Sequence, residues 1–168
     1  MHWNPELSME ELANEYYEAS FGCDWRICLE YMKSLSEKMN PFDIVPFMKE
    51  LTPRRYSRRE VINNLCKIPN IVEKYRTIIE KNVICDNKTH ALSWKYIFIH
   101  MEMVKLLSYS IRSKIDGKDD VSSMYWEVLT EYMIMNENKL DDVLDLRWFF
   151  FAFKKWYRLS RPTEDVFL

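Results

Sequence analysis

Three histidines and four cysteines are the residues of this chain best suited to chemistry, and their placement limits what they can do. Nucleophilic catalysis needs a Cys or Ser beside a base that a third group orients. His2 is terminal, His90 follows a loop, and His100 lies among Ile99, Met101 and Met103, a setting for a packed histidine. Zinc needs four converging ligands, commonly with two of them about two to four residues apart. Cys23 and Cys28 come near that spacing but no second close pair follows, and Cys85 with His90 is the next best pair. His100-Met101-Glu102 resembles a fragment of the zinc deaminases, whose Pro-Cys-x-x-Cys partner is missing. The acidic pairs Asp119-Asp120 and Asp141-Asp142 sit at expected helix starts, where the dipole favours negative charge. With only 2 glycines, Gly22 and Gly117, a Gly-rich phosphate cradle cannot be built. The expectation is a chain with no catalytic residues, no cofactor and no metal.

Composition narrows the remaining classes. The net charge is −2 and the pI about 6.0, which argues against nucleic acid as a partner, since that affinity comes largely from phosphate neutralisation. The segment from Met1 to Ser20 carries five glutamates and neither a basic n-region nor an apolar core, so it does not read as a secretory signal. The longest apolar-aromatic run, Trp148 to Phe153, is far below the ~20 residues of a membrane span. An intracellular protein of cytoplasm or nucleus is expected, or a secreted one if Met1 is not the natural first residue. The four cysteines allow two disulfides in three pairings, or none; as reduced residues they would pack in the core. Asn87-Lys88-Thr89 is a glycosylation triplet, relevant only in the secretory pathway.

The elements follow helical spacing throughout. Ser8 with Glu11 forms a capping box with Leu7 and Leu12 as its staple, and Leu12, Tyr16 and Ala19 share a face. Asp24 is placed to cap a helix from Trp25 to Met39, and Pro46 predicts a short or kinked helix from Phe42 to Leu51. Ser57 and Glu60 make a second capping box, and Pro69-Asn70 predicts a break before the stripe Ile71, Val72, Tyr75, Ile78 and Ile79. The stretch from Leu92 to Ile115 has apolar residues on two faces, which predicts a helix buried nearly all round. Asp120 or Ser122 caps the next, with Met124, Val128, Leu129, Tyr132 and Met133 inward, and a last helix runs from Lys139 to Leu159. The fold class expected is all-α: a single globular domain over residues 1–168, seven to eight helices around a central buried helix, with 160–168 a loose tail.

Two clusters stand out as binding surfaces. Consecutive aromatics point in all directions around a helix, so the run from Trp148 to Phe153 with Trp156 and Tyr157 cannot wholly enter one core. Phe149, Phe153, Trp156 and Tyr157 are the candidate contact residues, since aromatics and Arg are favoured at binding hot spots. Arg54, Arg55, Arg58 and Arg59 around Tyr56 could dock an acidic peptide. Lys154, Lys155, Arg158 and Arg161 fall in the last turns of a helix, where cations oppose the dipole. The function these features suggest is a non-catalytic interaction module, adaptor or regulator that binds a partner helix or short peptide, with a homo-dimer also compatible. A secreted helical-bundle cytokine is the alternative class.

Two family resemblances point the same way. Cys28 to Ser36, Asp43-Ile44-Val45 and Val61-Ile62-Asn63-Asn64-Leu65 resemble the helical N-terminal domain of transcription elongation factors, without that family's Gly-containing turn and Leu-Arg-Lys element. This resemblance implies docking of short acidic-hydrophobic peptides. Ser93-Trp94 at the start of the central helix, with Trp148 and Phe151 near the end, is similar to apoptosis regulators of the B-cell-lymphoma type, without the Asn-Trp-Gly-Arg and Gly-Asp signatures. That likeness implies a groove for a partner helix.

Overall fold

The structure, a computed structural model, describes residues 8–159, and those residues are all-α with no strand. The helices are α1 (Met9–Phe21), α2 (Trp25–Lys38), α3 (Pro41–Met48), α4 (Arg58–Leu65), α5 (Ile68–Asn82), α6 (Lys88–Ile115), α7 (Asp119–Met135), α8 (Glu137–Leu140) and α9 (Leu146–Tyr157). Six of the nine have 12 residues or more and three have 8 or fewer, so the chain divides differently from the seven or eight helices that periodicity predicts. None of the described helices is long and apolar enough to cross a membrane.

Five of the nine described helices, α1, α3, α4, α6 and α9, start on a side-chain cap. In both capping boxes the serine hydroxyl accepts from the N3 amide and the glutamate accepts from the serine amide, at 2.9 Å for Ser8 and 2.8 Å for Ser57. These bonds hold the Glu11 and Glu60 carboxyls below their ordinary range. Leu7, the other half of the expected staple, lies outside the described residues, while Leu12 and Tyr16 point to solvent. α1 instead packs through Tyr17 and Phe21, whose carbonyl accepts from the indole N–H of Trp94 at 3.0 Å. A Cβ on Gly22 would come within 2.7 Å of the His90 ring, and its φ of +70° suits glycine, so this residue lets α1 close onto α6.

α6 is the buried centre. Trp94, Met101 and Ile111 are wholly buried on it, and it packs against α1, α3, α4, α5 and α7. Its two apolar faces serve two clusters. One joins α2 and α5 through Tyr31, Val72, Ile79 and Met101; the other joins α3, α4, α7 and α9 through Ile44, Leu65, Ile111 and Trp126.

Several expected boundaries move, each for a local reason. Asp24 does not cap α2; it sits in a 3₁₀ turn and accepts from the Asn82 amide at 3.0 Å, tying α2 to the end of α5. α5 starts ahead of Pro69 rather than breaking there, because a proline in the first turn has no N–H to lose. α6 begins at Lys88 because the Asn87 side chain accepts from the amides of Thr89 and His90, so the residue of the glycosylation triplet is an N-cap. Neither Asp120 nor Ser122 caps α7. Ser122 is buried and exchanges hydrogen bonds with Ser110 of α6: each hydroxyl donates to the other's carbonyl at 2.9 Å. The single helix expected from Lys139 to Leu159 is two, with Asp145 capping α9 by accepting from the Trp148 amide at 3.0 Å. The expected tail 160–168, with Arg161, lies outside the described residues.

The largest correction concerns α7. Leu129 and Met133 face inward as expected, but Met124 and Val128 point outward, at 50% and 45% exposure. The inward row is Ser122, Trp126, Leu129, Thr130 and Met133, two of whose members are polar and satisfied by hydrogen bonds.

Candidate interaction surface

The aromatic helix α9 is seated by one ring of α7. Trp126 is buried and its ring centroid lies 6.3, 6.1 and 5.8 Å from those of Phe149, Phe150 and Phe153. Phe149 continues to Phe153 at 4.4 Å and Phe153 to Tyr157 at 4.7 Å, a ladder of rings at i, i+4 and i+8. Leu146, Phe149, Phe150, Phe153 and Tyr157 therefore form the inner face of α9, and burial pushes the Tyr157 hydroxyl above its ordinary range. Of the four aromatics expected to meet a partner, three are packed against this core, and Trp156 remains open.

The outer face is a different row. Trp148, Phe151 and Trp156 are 62%, 49% and 45% exposed, and Trp148 meets Phe151 at 5.4 Å. Cations sit on these rings. The Lys49 ammonium lies 4.0 Å from the centre of Trp156, and that of Lys155 lies 5.5 Å from Phe151 and 5.8 Å from Trp156. Lys49 arrives from the end of α3, which packs on α9. The next residue, Glu50, pairs with Arg158 at 3.7 Å, and both adopt positive φ at the two helix ends. The result is an open strip of aromatic surface edged with positive charge.

The arginine cluster does not join this strip as one group. Arg54 stacks on Phe47 at 4.5 Å and donates to the Leu51 carbonyl, while Arg55 lies over Tyr56 at 5.1 Å. Arg58 and Arg59 occupy the exposed first turn of α4. Arg58 adds to the field that holds the Asp116 carboxyl down, a shift owed first to its hydrogen bond with Lys118. The four cations are exposed but face different neighbours.

Away from this surface, packing governs two titratable groups, His100 and Cys28. His100 Nδ1 lies 3.2 Å from the hydroxyl of Tyr31, and burial lowers the imidazole to about 4, so it is neutral at pH 7. Cys28 is wholly buried and its thiol is pushed up to about 12 by desolvation. Among the described residues no three His, Cys, Asp or Glu side chains gather as a metal site. A cavity of about 20 Å³ beside Ser122, Trp126 and Leu159 has room for about one water molecule. All four cysteines are free, and only Cys28 occupies the core position expected for them. In native protein at mildly alkaline pH, Cys23, Cys66 and Cys85 should react with an aromatic disulfide reagent, and Cys28 only after denaturation. A fourth fast thiol would show that α2 opens readily.

Compared with family models, with curated proteins and with solved structures, the chain matches none. The resemblances to elongation-factor and apoptosis-regulator domains rest on the quoted residues alone.

The outward row Trp148, Phe151 and Lys155 has a signal in the sequence that aromatic content hides. The row Leu146, Phe149, Phe150, Phe153 and Tyr157 is apolar at every position, whereas the opposite row contains Lys155 and is bordered by Arg147 and Lys154. The unbroken row is the one a core takes.

Proposed function

We propose that this chain is a non-catalytic interaction module whose outer α9 face takes an amphipathic, acidic helix of a protein partner. The observation that carries the reading is the strip Trp148, Phe151 and Trp156 left open beside Lys49 and Lys155. Exposed aromatic rings supply large contact area with few rotatable bonds, and isolated soluble domains seldom leave such rings contiguous. Cations at the rim select a partner carrying carboxylates beside its apolar stripe and speed the encounter. A helix laid on a helical face offers such a stripe at i, i+3, i+4 and i+7.

The test uses a fluorescein-labelled amphipathic helix with Leu on one face and Glu along both borders, followed by anisotropy. Trp148→Ala with Phe151→Ala should weaken binding at least about tenfold, equivalent to about 1.4 kcal/mol. The unfolding midpoint should move little, since both rings are exposed. Lys155→Glu should weaken it further and remove part of the salt dependence. Binding that ignores these substitutions would reject the reading. So would capture of the protein by anionic lipid vesicles with no affinity for the peptide, which would assign the strip to a membrane surface.

A further inference from the structure

We infer that the helix occupying the α9 strip is α7 of a second copy of this chain, giving directional self-association. The inference rests on the reading of α9 as a helix-binding face. Val121, Met124, Val128 and Met135 are exposed on α7 and recur at i, i+3, i+7 and i+14, an apolar seam that nothing in the fold covers among the described residues. Methionine side chains adapt to irregular surfaces and make favourable contacts with aromatic rings, which is what Trp148 and Phe151 present.

Charge is divided between the two helices with opposite sign. α7 contains Asp119, Asp120, Glu127 and Glu131 and no Lys or Arg; α9 contains Arg147, Lys154 and Lys155 and no Asp or Glu. The whole chain carries only −2, so the segregation is local and each helix complements the other. Asp119 is engaged by Lys114 at 3.1 Å, which leaves Asp120, Glu127 and Glu131 to meet the Lys49 and Lys155 rim.

The geometry sets the symmetry. Trp126 leaves α7 toward α9, while Met124 and Val128, each two residues away, leave it rotated by about 160–200° at ~100° per residue. The apolar seam of α7 and the α9 strip thus lie on opposite sides of α7, and a contact between them joins unlike patches. Such heterologous contacts propagate head to tail. One helix on one helix buries less than the ~800 Å² per partner of a standard complex, which places the contact in the weak, transient class.

Sedimentation equilibrium of the full chain tests this. The weight-average mass should rise from 20.5 kDa at low concentration past twice that value near a protein concentration of about 0.5 mM, and should fall back in high salt. Trp148→Ser with Phe151→Ser disables the strip, and Met124→Lys with Val128→Lys disables the seam; each double variant should stay monomeric with unchanged helicity and midpoint. Mixed one to one, the two should form a complex that stops at two chains, because each supplies the intact half the other lacks. A monomeric wild type at that concentration, or a mixture that stays monomeric, would overturn the inference. The seam variant keeps its α9 face, so its binding of the Leu/Glu helix separates the outcomes: binding without self-association removes only this inference, and loss of both removes the α9 reading too.

Discussion

Trp126→Ala should destabilise the protein by about 3–5 kcal/mol, the range for emptying a buried Trp site, and should detach α9 from the body. The indole is 4% exposed and its neighbours are Phe149, Phe150 and Phe153, so its removal leaves a void under the inner face of α9 and breaks the ring ladder at its root. For a domain of this size the unfolding midpoint should fall by about 10 °C. Phe151→Ala removes a ring from the outer face of α9, yet should cost under about 1 kcal/mol because that ring is half in water already. The pair of variants, measured by urea unfolding, asks which face of α9 is core. Equal losses would mean the helix is turned the other way. Trp126→Ala should also weaken capture of the acidic helix without touching the strip, because Trp148, Phe151 and Trp156 lose the seat that aligns them.

Acid should weaken the fold through His100. Its imidazole is held neutral, with a value of about 4 in the folded chain against an ordinary 6.5, by burial on α6 against Tyr31 of α2. The Tyr31 hydroxyl at 3.2 Å, itself pushed above its ordinary range, fills its Nδ1 bond. A depressed histidine takes up its proton in the unfolded chain first. Stability is therefore intact above about pH 6.5 and is lost as pH falls from there toward 4. Each pH unit of separation is worth about 1.4 kcal/mol. Because part of the residue's surface remains open to solvent, the expected loss between pH 7 and 4.5 is about 2 kcal/mol, below the full product. His100→Gln keeps a polar side chain without the titration and should flatten that slope while leaving the carboxylate-driven loss below pH 4.5. The carboxyls of Glu11, Glu60 and Asp116, all held low, titrate in that lower window. A wild-type slope equal to that of His100→Gln would show that the imidazole is not desolvated.

Read alone, the sequence determines the secondary structure class, the capping boxes at Ser8 and Ser57 and the burial of the segment around Met101. These follow from local chemistry: a serine three residues before a glutamate closes its own bonds, and two apolar stripes on one helix admit few arrangements. It does not determine which way α7 and α9 face. On α7 the inward row includes Ser122 and Thr130, which look unsuited to a core until Ser110 and the Trp126 carbonyl supply their hydrogen bonds. The outward row, with Met124 and Val128, is the more apolar to the eye. On α9 seven of the twelve positions are aromatic and both faces carry rings, so aromatic content does not rank them; the cations of the outer row are the one cue, and the seating of Phe149 and Phe153 on Trp126 decides it. Periodicity is a property of one helix, whereas facing depends on what a second helix offers. That is why the facing of α9, hinted at by Lys155, and the exposure of Met124 and Val128 on α7 were decided only by the tertiary structure.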